Sequence, residues 1–219
     1  MKNMKKILSV GLICTSLLAA SNFTTMNVQA SETNGIVKTD VQQSKLGKSI
    51  LNVYDRKIAS IQAENDNWRV LTWRIMDPFE QGSLGMNYNY GKEKQKWNFF
   101  YDEESDTYRI QCGPVHLGNF IMYSYLAADE NGHVSAAALN VDGKARKNEQ
   151  WWLMKSGTAT NGDQMILQNA ATGDVLIYQD NPDEPGDFWL YTLSPTAVGF
   201  QNLYNGGFAT FVIHVEGEF

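Results

Sequence analysis

Short apolar or alternating runs recur along most of this chain, and clusters of turn-forming residues separate them. The runs include KWNFFYD (96–102), TYRIQCG (107–113), FIMYSYL (120–126), QWWLMKS (150–156), DVLIYQD (174–180) and FATFVIHV (208–215), and YDEESD, AADENG and GTATNGD are among the clusters. Runs of this length and period predict β-strands, and no helical period competes with them. The pattern therefore predicts an all-β domain, built either as a closed barrel or as a β-sandwich.

The N-terminus has the organisation of a secretion signal. MKNMKK precedes the apolar run ILSVGLICTSLLAA, and Val28 and Ala30 occupy the small-residue positions before a cleavage point. We expect residues 1–30 to be removed, residues 31–48 to form a tether and residues 49–219 to form the domain. A lipid anchor on Cys14 is the alternative, but Ile13 occupies the preceding position, where lipoprotein signals carry a small residue.

Charge and cysteine content exclude several classes of protein. The chain carries 18 basic and 24 acidic residues; removal of Lys2, Lys5 and Lys6 leaves 15 against 24, a net charge of −9. With no basic stripe to neutralise phosphates, we expect no nucleic-acid partner. No later apolar run is long enough for stable membrane insertion. Cys112 would be the single cysteine of the mature chain, either as a buried thiol or as a bridge to a partner chain.

Tryptophan recurs in a similar setting in three of the predicted strands. The three copies are Gln95-Lys96-Trp97, Gln150-Trp151-Trp152 and Asp187-Phe188-Trp189. Because side chains alternate along a strand, a Trp two residues after a Gln shares its face. We interpret Trp97 and Trp152 as repeated core wedges, with Trp151 pointing outward and Asp187 replacing the Gln in the third copy.

These triplets, together with the Asn169-x-x-Thr172-Gly173 turn before a strand, resemble the ricin B-type β-trefoil lectins. The resemblance implies a β-trefoil, in which three repeats pack around a pseudo-threefold axis and the Gln and Trp are structural. Weaker similarities connect RKIASIQAENDNWRVLTW to receptor-binding subunits of cytolethal distending toxins, and GKEKQKWNFFYDEE to small clostridial haemagglutinin components. The segment after about residue 195 fits no repeat, and we interpret it as a C-terminal extension.

The sequence contains no recognisable catalytic or metal-binding constellation. Its histidines do not form a zinc motif, and no nucleophile elbow or phosphate loop is present. His214 and Glu216 share a strand face, but two ligands are not a metal site. We therefore expect no catalytic residues, no metal and no cofactor; a secreted hydrolase using Glu216 or the acidic 180–187 loop is the less favoured alternative.

Aromatic side chains outside the core are the candidates for ligand binding, because sugars stack on aromatic rings and bond to adjacent polar groups. Trp68 and Trp73 are an odd number of residues apart, so one faces the core, and Trp68 after a polar turn is the exposed candidate. The predicted ligand-binding residues are Trp68, Trp73, Trp151, Tyr88, Tyr90 and Tyr178. The lectin family's sugar-site Asp is absent, because Ile177 stands beside Leu176 in its place.

The sequence thus predicts a secreted, non-catalytic module that recognises a glycan or a cell-surface glycoprotein. The resemblance implies the binding or delivery component of a bacterial toxin, with a separate toxin subunit as a partner. The missing carboxylate leaves a protein-binding or inhibitory trefoil without sugar dependence as the alternative.

Overall fold

The protein is described here by a computed structural model that covers residue 46, residue 50 and residues 52–66, 68–74, 83–117, 120–138, 146–160, 162–181 and 188–219. These residues belong to one compact unit, Val37–Phe219. The predicted signal, 1–30, lies outside the described residues, as does the predicted tether except for Leu46. Within the described residues no helix is long and apolar enough to cross a membrane.

Twelve strands and three short helical segments make up the fold. The strands are β1 (Lys57–Ala63), β2 (Arg69–Arg74), β3 (Ser83–Tyr88), β4 (Trp97–Asp102), β5 (Thr107–Leu117), β6 (Phe120–Ala128), β7 (Val134–Ala138), β8 (Gln150–Ala159), β9 (Gly162–Asn169), β10 (Val175–Asp180), β11 (Phe188–Leu193) and β12 (Phe211–Glu218). Two 3-10 helices, Glu93–Gln95 and Lys147–Glu149, and helix α1, Phe200–Asn205, precede β4, β8 and β12 respectively.

Six of the strands close into a barrel. Antiparallel pairing runs from β1 to β4, β5, β8, β9 and β12, and β12 pairs back to β1 over Lys57–Ala63. The other six form the hairpins β2–β3, β6–β7 and β10–β11. Strands β3, β7 and β11 contact one another, so the hairpins close one end of the barrel, which we name the cap end.

This arrangement is a β-trefoil of three four-stranded repeats, as the sequence predicted, and the sandwich alternative is wrong because the barrel is closed. The segment after residue 195 is not an extension: it contains helix α1 and strand β12, which complete the third repeat. At the opposite end, which we name the open end, lie the turns that join β4 to β5 and β8 to β9, together with the paired ends of β12 and β1.

Three large rings occupy equivalent places in the barrel. Trp97, Trp151 and Phe211 stand opposite Cys112, Asn169 and Ala63 on the neighbouring strand, and all three rings are fully buried. The indole N–H of Trp97 donates to the Leu71 carbonyl at 3.0 Å, and that of Trp151 to the Leu126 carbonyl at 2.8 Å. Phe211 has no N–H to satisfy, so the third repeat needs no such acceptor.

The predicted wedges are therefore correct for Trp97 and wrong for the other two repeats. In the second repeat Trp151 fills the barrel, whereas Trp152 is half-buried on the next position along the strand. In the third, Trp189 is an exposed residue of β11. Glu149, buried two residues before Trp151, is the equivalent of Gln95, so a polar residue two before the ring is common to the first two repeats, whereas Ala209 stands at that place before Phe211. The Gln at 150 is a coincidental match.

A smaller apolar cluster covers the outside of the third repeat. It contains Val175, Ile177 and Phe200, and Leu46 packs against it. The Leu46 amide donates to the Gln168 side-chain oxygen at 3.0 Å, and the Ile50 amide donates to the Leu153 carbonyl at 2.7 Å. The end of the predicted tether is therefore attached to the domain.

Candidate functional site

Three of the six predicted binding residues are exposed at the same end of the β2–β3 hairpin. The exposed fractions are 70% for Trp68, 53% for Tyr88 and 68% for Tyr90. The Trp68 carbonyl accepts a hydrogen bond from the Asn89 amide at 2.8 Å, which places Trp68 across the ribbon from the residue between the two tyrosines. We name these three side chains the aromatic face.

The other three predicted residues lie in the core and cannot contact a surface ligand. Trp73, Trp151 and Tyr178 are at most 1% exposed. Trp151 fills the barrel, which contradicts its predicted outward orientation. The Tyr178 hydroxyl donates to the Gly207 carbonyl at 2.8 Å, and its ring packs 5.2 Å from that of Phe211. The predicted division between Trp68 and Trp73 is confirmed, since Trp73 is the inward member of the pair.

A single carboxylate organises the turn that carries Trp68. One oxygen of Asp66 accepts the Trp68 amide at 3.1 Å, and the other accepts the Arg69 Nε–H at 3.0 Å. The Arg69 amide bonds back to the Asp66 carbonyl at 3.1 Å and closes a tight turn. The backbone of Trp68 is therefore held on both sides while its ring projects into solvent.

Gln95 fixes the segment that carries the two tyrosines. Its Nε2 donates to the Tyr88 carbonyl at 2.7 Å and to the Thr72 hydroxyl at 3.1 Å. Its Oε1 accepts the Tyr90 amide at 2.9 Å. The Gln95 side chain is buried and uses both ends of its amide, so it holds the backbone of the two exposed tyrosines. Gln95 is itself anchored to the barrel because Trp97 follows two residues later.

Arg69 connects the aromatic face to the third repeat. Its guanidinium carbon lies 4.7 Å from the centre of the Tyr88 ring and 4.0 Å from that of Phe188 in β11. The Tyr88 and Tyr90 rings meet edge to face at 6.4 Å. A stacked guanidinium orients a ring and withdraws its own charge from solvent. The Asp66–Arg69 spacing was visible in the sequence, but its contact with Phe188 depends on two distant repeats meeting.

The chemistry of this face is that of recognition. Exposed rings can stack on an apolar surface, and the hydroxyls of Tyr88 and Tyr90 can donate and accept hydrogen bonds beside them. Among the described residues no group of three or more His, Cys, Asp or Glu side chains converges to hold a metal ion.

The Cys112 thiol is fully buried, and burial raises its pKa far above the ordinary value, so this thiol is neutral and inaccessible to a partner chain.

Comparison with known proteins supports the fold. No protein-family model and no curated protein matches the chain. Among solved structures, a mosquitocidal holotoxin superposes with a TM-score of 0.54 at 17% identity, covering 76% of this chain and 18% of the toxin. The lysenin pore superposes with 0.50 at 14% identity, covering 77% and 49%. The BEL β-trefoil superposes with 0.50 at 9% identity, covering 74% and 94%.

At these low identities the superpositions show a shared β-trefoil fold and nothing finer. The chain spans about a fifth of the holotoxin and about half of lysenin, 18% and 49% respectively. The similarity is therefore to a part of each of these two larger proteins.

Proposed function

We propose that this chain is a secreted, non-catalytic binding module related to the ricin B-type lectins, and that the aromatic face binds a glycan or a cell-surface glycoprotein. The observation that carries the proposal is the exposure of three aromatic rings on a backbone held by Asp66 and Gln95. An exposed ring on a fixed backbone loses little entropy on binding, which favours its use in recognition.

Secretion is proposed from residues 1–30, and a role in toxin binding or delivery is proposed from the trefoil neighbours. One of those neighbours is a domain of a mosquitocidal holotoxin, and another is part of the lysenin pore. A separate subunit would supply any catalytic activity in such an assembly.

A glycan array with the secreted protein is the direct test. We expect selective binding that is abolished by Trp68→Ala or Tyr88→Ala, because each change removes a stacking surface. Phe219→Ala is the matched control, since Phe219 is half-exposed but lies at the open end. Equal loss in all three variants, or selective binding that survives both Trp68→Ala and Tyr88→Ala, would contradict the proposed site.

A protein receptor is the second candidate, and Ile177 is the observation that favours it. Ile177 is fully buried in the cluster on the third repeat, so that repeat has no carboxylate at the place where the lectin family binds sugar. If the folded protein binds no glycan, enzymatic deglycosylation of target cells should leave its binding to them unchanged. Loss of cell binding after deglycosylation would contradict the protein receptor and support a glycan ligand.

A further inference from the structure

The open end of the barrel carries an apolar groove of about 410 Å³, remote from the aromatic face. Four apolar side chains line it: Val53, Ala159, Ile213 and Val215. Val215 pairs with the fully buried Ala59 on β1, so it belongs to the inward-facing side of β12 but emerges where the barrel ends. Val53 and Val215 remain 55% and 50% exposed, although both are small aliphatic residues.

One wall of the groove is polar and ordered. The Tyr54 hydroxyl donates to an oxygen of Asp163 at 3.3 Å, and Lys155 binds the other oxygen of that carboxylate. The Tyr54 amide donates to the Tyr108 hydroxyl at 3.2 Å inside the barrel. These bonds hold Tyr54 in place and leave the Asp163 carboxylate at the edge of the groove. The volume of the groove is in the range of ligand-binding clefts.

The surface around the groove is strongly acidic. The lining residues belong to segments 52–57, 155–160, 162–163 and 213–219. Segment 101–106 adjoins them, because the Tyr101 amide donates to Asp55 at 2.9 Å and the ring of the preceding Phe100 packs 5.0 Å from that of Phe219. Together these segments contain eight acidic and three basic residues. Lys96, which reaches Glu216 at 3.0 Å, is a fourth base, so the balance is 4 − 8 = −4. Half of the acids stand together in the β4–β5 turn, where Asp102–Asp106 contains no base.

We propose that this groove is a docking site for a cationic segment of another protein, with one or two aliphatic side chains inserted between Val53 and Val215. Apolar walls select the aliphatic tip, and the surrounding carboxylates attract the flanking lysines or arginines and increase the rate of association. The site is at the opposite end of the molecule from the aromatic face, so both surfaces can be occupied at once.

Two other occupants fit less well. A second copy of the chain would bring a net charge of −4 against the same charge. Residues 31–45 of this chain carry Lys38 and Lys45 against Glu32 and Asp40, so they provide no excess positive charge. The Leu46 amide is also bonded to Gln168, the last residue but one of β9, at the end of that strand that leads to the cap.

Titration with a defined peptide tests the proposal on the full chain as secreted. The probe is a dye-labelled peptide in which Val-Leu is flanked on each side by two lysines, read out by fluorescence polarisation at low salt. Two further peptides replace either Val-Leu by Gly-Ser or the lysines by serines. We expect saturable binding of the first peptide, weaker binding of the other two, and a decline as salt rises.

Matched variants locate the binding. Val53→Ser with Val215→Ser should weaken the peptide about tenfold, because each change removes apolar contact area. Glu103→Gln with Glu104→Gln should weaken it at low salt and leave high-salt binding unchanged. Val198→Ser is the control for the loss of an exposed valine, and thermal unfolding verifies that each variant is folded. Absence of binding, equal binding of all three peptides, or an unchanged affinity in the folded double-valine variant would overturn the proposal.

Discussion

The first and second repeats place the same indole ring in the barrel but differ in the polar residue that stands two positions before it. In the first repeat the residue two before the ring is Gln95, whose amide both donates and accepts. In the second it is Glu149, a fully buried carboxylate that only accepts. One of its oxygens accepts the Arg146 amide at 3.2 Å and lies 3.7 Å from the Arg109 guanidinium.

The comparison shows which half of the repeated pattern the fold constrains. The ring is constrained, because each of the three equivalent places in the barrel is filled by a large buried aromatic side chain, an indole in two repeats and Phe211 in the third. The polar residue is free to change provided that its surroundings change with it. In the second repeat the positive charge of Arg109, whose guanidinium is stacked 4.0 Å from the centre of the Tyr125 ring, offsets the cost of burying the Glu149 carboxylate.

The largest expected effect tests the equivalence of the two rings. Trp97→Ala and Trp151→Ala should each lower the free energy of unfolding by about 3–5 kcal/mol, because each leaves a cavity and an unpaired carbonyl. Urea denaturation measures both. Trp152→Ala is the adjacent control and should cost clearly less; the equivalence is wrong if it costs more than Trp151→Ala.

An exchange of the polar residues tests the difference between the repeats. Gln95→Glu should destabilise by about 2–3 kcal/mol, since a carboxylate cannot donate to the Tyr88 carbonyl and has no arginine partner comparable to Arg109 among the contacts of Gln95. It should also weaken ligand binding by the aromatic face. Glu149→Gln should cost less, because an amide still accepts from the Arg146 amide. Equal costs would show that the two sites are chemically interchangeable.

Alkaline pH tests the contact between the start of the second repeat and the chain before the first. Burial raises the pKa of Tyr108 to about 12 from its ordinary 10, and it raises the pKa of Tyr54 as well. The unfolded chain releases these protons first, so the stabilisation is complete below pH 10 and is lost as pH rises towards 12. In that window each tyrosine should lower the free energy of unfolding by about 1.4 kcal/mol per pH unit. Tyr108→Phe should flatten the decline measured by urea denaturation, and an unchanged slope would argue against this origin.

The smallest effect concerns the surface that the first repeat carries. Trp68→Ala should change the free energy of unfolding by less than about 0.5 kcal/mol, because its ring is largely exposed. Tyr88→Ala should cost about 1 kcal/mol, because it also removes the contacts of that ring with Arg69 and Tyr90. A larger loss, with ligand binding intact, would assign the rings to packing.

The error at Trp151 shows how far a local pattern predicts this fold. Either of two adjacent tryptophans can face the core of a strand. Gln150 stands two residues before Trp152 and matches the Gln-x-Trp pattern by coincidence, so the pattern alone selects the wrong ring. The deciding facts are the pairing of Trp151 with Asn169 and its bond to Leu126, which join parts of the chain about 20 residues away on either side. No sequence pattern indicated that Phe211 fills the barrel in the third repeat, because a phenylalanine needs neither the acceptor for an indole N–H nor the preceding Gln.

Alternation and turn chemistry are local, and for this reason the all-β class, the wedge at Trp97 and the exposure of Trp68 relative to Trp73 could be predicted from the sequence. Closure of the barrel by β12 on β1 and the contact of Arg69 with Phe188 involve residues more than a hundred positions apart. The membership of β12 in the third repeat depends on its pairing with β9, 46 to 50 positions earlier in the chain. These features emerge only when the chain is folded, because such contacts follow from the summed packing of three repeats, which no single segment encodes.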